Sequence, residues 1–188
     1  MHRLLVSLVV MGVAVGLLGS PASAQTKVRK DTVGEAPARF DIRSVKIQNT
    51  STKLAVTVRL TTVQKRRTSV IVFSSNSADG DTSSYLQVVP VAKGRYQLSG
   101  AVGEGDDVTQ LRCPAATTKV RQGSRGFIRI VVPQSCLGAS AGRQVTDVGA
   151  YDKQSYAARQ TALRAMRGDE DANSVFDFLR TSVTTRRG

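Results

Sequence analysis

Leu54-Ala55-Val56-Thr57-Val58-Arg59-Leu60 decides the fold class. Leu54, Val56, Val58 and Leu60 alternate strictly with Ala55, Thr57 and Arg59. Successive side chains of an extended chain point to opposite faces, so a period of two means one buried face and one face in water. The segment is a half-buried β-strand.

The neighbouring sequence continues in the same manner. Upstream, Phe40, Ile42, Val45 and Ile47 are apolar, but their parity shifts near Ser44, which marks a bulge or bend. Asn49 to Thr52 is a turn between this segment and the next. Downstream, Val70 to Phe73 is an unbroken apolar run, expected as a central strand buried on both faces. Asn76 to Asp81 is a turn-rich loop. Tyr85 to Val91 and Arg95 to Leu98 flank Lys93-Gly94, a tight hairpin signal. Gly103 to Asp107 is an acidic turn, Val108 to Cys113 and Thr117 to Arg121 are weaker strands, and Gly126 to Val132 is again strong. Pro133 ends that strand, and Gln144 to Ala150 forms a last one.

Short strands separated by polar turns, with no βαβ alternation, define an all-β chain. The expected fold is one antiparallel β-sandwich, jelly-roll-like, over residues 39–150. Leu54–Leu60, Val70–Phe73 and Ile128–Val132 are its expected core.

The two ends read differently. Residues 1–24 carry Arg3, the apolar stretch Leu4 to Leu18, the breakers Gly19, Ser20 and Pro21, and the small-residue pattern Ala22-Ser23-Ala24. That is the pattern of a cleaved signal peptide. The apolar stretch falls short of the ~20 residues that span a bilayer. Residues 25–38 are polar and charged and are expected as a flexible arm. Residues 151–188 form a C-terminal tail, packed on the sandwich or extending from it. Within it, Tyr156 to Arg167 favours helix and stops at Gly168, and Val175, Phe176, Phe178 and Leu179 form a short apolar cluster.

Export has consequences for the cysteines. Cys113 and Cys136 are the only two, and an even count in an exported chain is expected as one disulfide. The single histidine, His2, leaves with the signal. No Ser-His-Asp or Cys-His system and no His/Cys zinc site can then be built. No phosphate-binding glycine loop is present, and no Ser-x-x-Lys stands in the exported part.

Charge is the strongest compositional signal. Without Arg3, 26 of the 27 Lys and Arg remain against 14 Asp and Glu, a formal charge of +12. Such a field attracts polyanions. Only Lys65-Arg66-Arg67 forms a run, and these three are candidate ligand contacts. Tyr85 and Tyr96 are candidate sugar-stacking residues, since Trp is absent. Asn76, Asp79 and Asp81 around Gly80 make a weak candidate calcium loop without the spacing of an EF-hand. The other acids fall mostly in turns, where Asp is a favoured residue. No motif for sequence-specific nucleic-acid reading is present.

Asp41-Ile42-x-x-Val45-x-Ile47, the strand Leu54 to Leu60, and Phe127-Ile128-Arg129-Ile130-Val131-Val132-Pro133-Gln134-Ser135-Cys136-Leu137-Gly138 occur in that order. Together they resemble a group of uncharacterised secreted β-sandwich proteins of actinobacteria. The opening strand pair is loosely similar to DOMON and related carbohydrate-binding jelly rolls. The resemblance covers about residues 40–151. It implies an extracellular sandwich and supplies no catalytic residues. The Met and His ligands of a haem-binding DOMON domain are missing.

The expected function is a non-enzymatic binding module at the cell envelope that recognises a glycan or an anionic polymer. The alternatives are a carboxylate-based glycan hydrolase, which needs two facing carboxyl groups, and a structural or protein-interaction domain.

Overall fold

A computed structural model of the chain describes residues 25–76, 82–104, 107–137, 143–153, 176–179 and 183–186. The expected signal segment, the helix over Tyr156–Arg167, and Asp79 and Asp81 of the calcium candidate lie outside the described residues. Asn76, the remaining member of that candidate, is described and ends a strand.

Fourteen strands are described, and every pairing between them is antiparallel. Sheet A contains β1 (Gln25–Lys30), β2 (Ile42–Asn49), β3 (Lys53–Leu60), β11 (Phe127–Pro133) and β9 (Thr117–Arg121), in that spatial order. Sheet C runs β13 (Phe176–Phe178), β12 (Arg143–Asp152), β5 (Thr68–Asn76), β6 (Thr82–Pro90), β7 (Tyr96–Glu104) and β8 (Asp107–Gln110), with β14 (Val183–Arg186) also on β12. A two-stranded ribbon, sheet B, of β4 (Thr62–Val63) and β10 (Gly123–Ser124) sits at one end.

The chain crosses from sheet A to sheet C between β3 and β5, returns between β8 and β9, and crosses again between β11 and β12. Because β3 pairs antiparallel with β11 and β5 antiparallel with β12, the crossings out of β3 and β11 leave opposite ends of the sandwich and tie the sheets together at both. This is the antiparallel sandwich expected from the alternation in Leu54–Leu60.

The core follows from parity. Val45, Ile47, Leu54, Val56, Val58, Leu60, Ile128, Ile130 and Val132 point inward from sheet A and are essentially inaccessible. They meet Val70, Val72, Leu86, Val88, Val148 and Ala150 of sheet C in one apolar cluster. Fully burying a Val, Leu or Ile contributes ~1.5–3 kcal/mol each. β5 is central in its sheet, and Ile71, on its other face, is as buried as Val70 and Val72. Tyr151 and Phe178 join Ile71 on that outer face: a Cβ placed on Gly149 would sit 3.1 Å from Ile71 and 3.2 Å from the Phe178 ring.

The expected turns appear with their reasons. The register of β2 on β3 shifts between Ile42 and Ser44, the bulge signalled by the change of parity. The turn at 50–52 is held by the Thr50 backbone N–H donating to the Lys53 carbonyl at 2.9 Å. Lys93 and Gly94 have φ of 59° and 69°, and Val91–Arg95 close the β6–β7 hairpin.

Cys113 and Cys136 are disulfide-bonded, 23 positions apart. The bridge ties the segment after β8 to the short turn after β11. That turn is anchored by Gln134, which is buried and donates from Nε2 to Asn49 Oδ1 at 2.6 Å and to the Thr50 carbonyl at 3.1 Å.

Two expectations change. Residues 25–30, expected as part of a flexible arm, form β1 along the edge of β2 in unbroken register from Gln25–Asn49 to Lys30–Ser44. Their polar composition is that of an exposed edge strand, which needs only one hydrogen-bonded neighbour. The described residues of the tail are also strands: β13 and β14 both pair with β12, which itself runs to Asp152. The sandwich therefore reaches past residue 150.

Candidate anion-binding face

The register of sheet A places its cations. On the inner parity of β2, β3 and β11 stand the core residues, whereas β1 has the exposed Lys27 and Arg29 there. On the outer parity, one cross-strand row reads Arg121, Phe127, Arg59, Ser44, Lys30 from β9 to β1. The next row reads Lys119, Arg129, Thr57, Lys46, Val28. Lys53 extends the face along β3. The five strands contain no Asp or Glu at all. The acids of the described strands, Glu104, Asp107, Asp147, Asp152 and Asp177, all belong to sheet C.

Neighbouring strands lie ~4.8 Å apart, and same-face residues along a strand ~6.8 Å apart. Each cation of these rows therefore has another within roughly 5–10 Å, comparable to the Debye length of ~8 Å at physiological salt, and their fields overlap. Arg129 and Lys119 are direct cross-strand partners. Like charges placed so are destabilising. Arg129 Nε is buried and has no hydrogen-bond acceptor on the protein. Lys46, Lys119, Arg59 and Arg121 are exposed.

A cavity of about 440 Å³ opens at one end of this face. Lys30, Arg43, Arg59 and Arg125 supply its charge, Ser44 lies beside them, and Asp31 is the one acid on its wall. A second cavity, of about 550 Å³, lies between β7 and β9. Leu98, Leu111, Ala116 and Cys113 give it apolar walls, and Arg95, Tyr96 and Thr118 give it polar ones. Neither cavity has the two carboxylates that a glycan hydrolase needs.

The residues singled out from sequence are dispersed. Lys65 and Arg66 are exposed in the turn between β4 and β5, and the Lys65 stem lies against Gly94. Arg67 is engaged: its Nη2 donates to Asp152 Oδ2 at 2.6 Å, beside Arg39 Nε at 2.7 Å on the same oxygen. Asp152 is a buried strut for two arginines. The basic run therefore does not act as a three-residue patch.

Tyr85 and Tyr96 do not form a platform. Tyr96 has the inner parity of β7, with Leu98, and packs against the core, whereas Tyr85 pairs with Ala101 on the outer parity. They stand on opposite faces of sheet C. The Tyr96 hydroxyl donates to the Gln64 carbonyl at 3.2 Å, and burial pushes its pKa up to about 12.

Asp41 serves structure as well. It accepts from the Gly34 amide at 3.0 Å and from the Thr61 hydroxyl at 2.6 Å. Among the described residues no group of three or more His, Cys, Asp or Glu is placed to hold a metal ion.

Sequence reasoning missed the outer face of sheet A because its members come from five segments between Gln25 and Pro133. A signal was present nonetheless. Every strand of this sheet has cations at polar positions and lacks acids. No family model, no curated protein and no solved structure matches the chain.

Proposed function

We propose that this domain is an exported, non-enzymatic binding module that holds a linear anionic polymer of the cell envelope across the outer face of sheet A. The single-signed face carries the reading: two rows of Lys and Arg on five strands without one carboxylate. The direct opposition of Arg129 and Lys119 supports it, since that pairing costs stability until a counter-anion bridges it. The disulfide suits an oxidising compartment, as does the signal-like sequence of residues 1–24. No helix among the described residues is long and apolar enough to cross a membrane. A polymer is favoured over a compact ligand because the face is broad and open, with cations repeating at ~5–10 Å across strands.

The test is sedimentation of the protein with purified cell walls, and with their polysaccharides, at low and high salt. Binding that falls with salt, and falls further in Lys46→Gln and Arg129→Gln variants, supports the reading. Each cation that pairs with the polymer contributes about one unit to the slope of log K against log salt, so each variant lowers that slope by about one. Binding that ignores both salt and the variants overturns it.

A further inference from the structure

The cavity at the end of the basic face has features that a diffuse charged surface lacks. Two of its four cations are placed by irregular backbone. Arg43 occupies the bulge of β2, between Ile42, which pairs with Leu60, and Ser44, which pairs with Arg59. Bulges re-aim side chains, and here the Arg43 carbonyl is also held, by the Asp31 amide at 3.1 Å. Arg125 has φ of 52°, in the left-handed region where glycine is at ease and a long side chain is not. Gly123 and Gly126 stand either side of it, yet the left-handed position itself carries an arginine. That backbone is fixed: the Arg125 amide donates to the Thr61 carbonyl at 2.9 Å, and the Leu60 amide to the Gly126 carbonyl at 3.1 Å.

The other two cations come from regular strands. Arg59 and Lys30 flank Ser44 in one cross-strand row. Four segments distant in sequence thus bring three guanidinium groups and one ammonium to one cavity of about 440 Å³, against the single carboxylate of Asp31. Guanidinium forks match the oxygens of phosphate bidentately, and a cluster of three suits a compact oxyanion of more than one oxygen edge.

We propose that this cavity is a binding site for one phosphate group. The inference rests on the anionic-polymer reading and sharpens it: the polymer is phosphate-bearing rather than uronate-bearing, and the cavity seats one of its phosphates while the open face follows the rest. The phosphate is a chain-end monoester or an in-chain diester.

The test is isothermal titration of the whole exported chain with inorganic phosphate, glycerol 3-phosphate, dimethyl phosphate and acetate, at ionic strength held constant with chloride. Saturable one-to-one binding of phosphate, without binding of acetate, is expected. Arg125→Gly and Arg43→Gln should each weaken it ~10-fold. Arg125→Gly leaves the fold intact, because glycine relieves the left-handed position. Arg112→Gln, at an exposed position after β8 and outside both the face and the cavity, should leave phosphate binding unchanged. Glycerol 3-phosphate binding alone supports a chain end, and dimethyl phosphate binding as well supports a diester. Absence of phosphate binding, equal binding of acetate, or indifference to both cavity variants overturns the site. If walls still bind in a salt-dependent way while phosphate does not, the open-face reading stands and this one falls. If phosphate binds and walls do not, the polymer reading falls and the cavity remains.

Discussion

The Asp177 carboxylate in β13 accepts a hydrogen bond from the backbone amide of Ile42 at the start of β2, across 135 positions of sequence. It pins sheet C to sheet A beside the bulge that carries Arg43. Burial pushes this carboxyl up to about 7. The Ile42 amide pulls the other way, and the charges of Asp31, Asp41 and Glu35 add to the rise. The folded state therefore holds the Asp177 proton more tightly than the unfolded chain, whose carboxyl titrates near ~4. The stability contributed by the protonated group is complete below that value and is lost as pH rises through about 7. Asp177→Asn keeps an acceptor for the Ile42 amide and removes the titration. Urea denaturation at pH 4 should find the two proteins alike, and at pH 8 the variant more stable by roughly 2 kcal/mol, about half the full linkage value because water reaches part of the site and screens the charge. Equal stability at both pH values would show that Asp177 is not protonated in the folded protein near neutrality.

Asp152 gives a second test. Its Oδ2 accepts from both Arg39 and Arg67, and its side chain is only 5% exposed, while the arginines are 32% and 40% exposed. Asp152→Asn should cost about 1–3 kcal/mol, because two partly buried cations lose their charged acceptor. Arg67→Gln should cost less than about 1 kcal/mol, since Arg39 remains on the same oxygen and the outer cation regains water. Arg67→Gln should also leave wall binding unchanged. A loss of binding in that variant, at unaltered stability, would return the 65–67 run to the binding site.

The outcome at these residues shows what was legible. Alternation in Leu54–Leu60, the parity break near Ser44, the apolar run Val70–Phe73 and the stop at Pro133 are local patterns, set by the two-residue period of a strand and by the missing amide of proline. They were readable because each strand reports its own buried face. Register between strands is not local. Arg129 neighbours Lys119 and Thr57 through pairings that no short window contains. Contiguity made Lys65-Arg66-Arg67 conspicuous, yet the third member turns away to a buried aspartate. Parity within each strand separates Tyr85 from Tyr96 only once β6 and β7 are paired. β1 escaped notice because an edge strand needs no apolar alternation.

The disulfide is testable in two ways. Mass spectrometry of the non-reduced, alkylated protein should show no labelled thiol. Reduction should lower stability by about 3 kcal/mol, the loop-closure value for a bridge of this span. The loss should appear first in the wall between β7 and β9, where Cys113 lines the larger cavity. Hydrogen exchange after reduction should therefore quicken around Leu111 and Ala116 before it quickens in β3. Uniform quickening across both sheets would mean that the bridge constrains only the unfolded chain.

The opposed pair Arg129 and Lys119 separates a binding role from a structural one. If the outer face of sheet A were merely a solvated surface, changing Lys119 would alter little besides net charge. If the pair is held for a ligand, stability and binding must move in opposite directions. Lys119→Glu replaces a like-charge cross-strand contact by an opposite-charge one and should stabilise the free protein by about 0.5–1 kcal/mol. The same change puts the first carboxylate into the five strands and should weaken wall binding several-fold at low salt, with the difference shrinking as salt rises. Thermal denaturation and wall sedimentation of this one variant give both readings. A stabilised variant with undiminished binding would remove the row containing Arg129 from the site, leaving the row that ends at Lys30 to carry it.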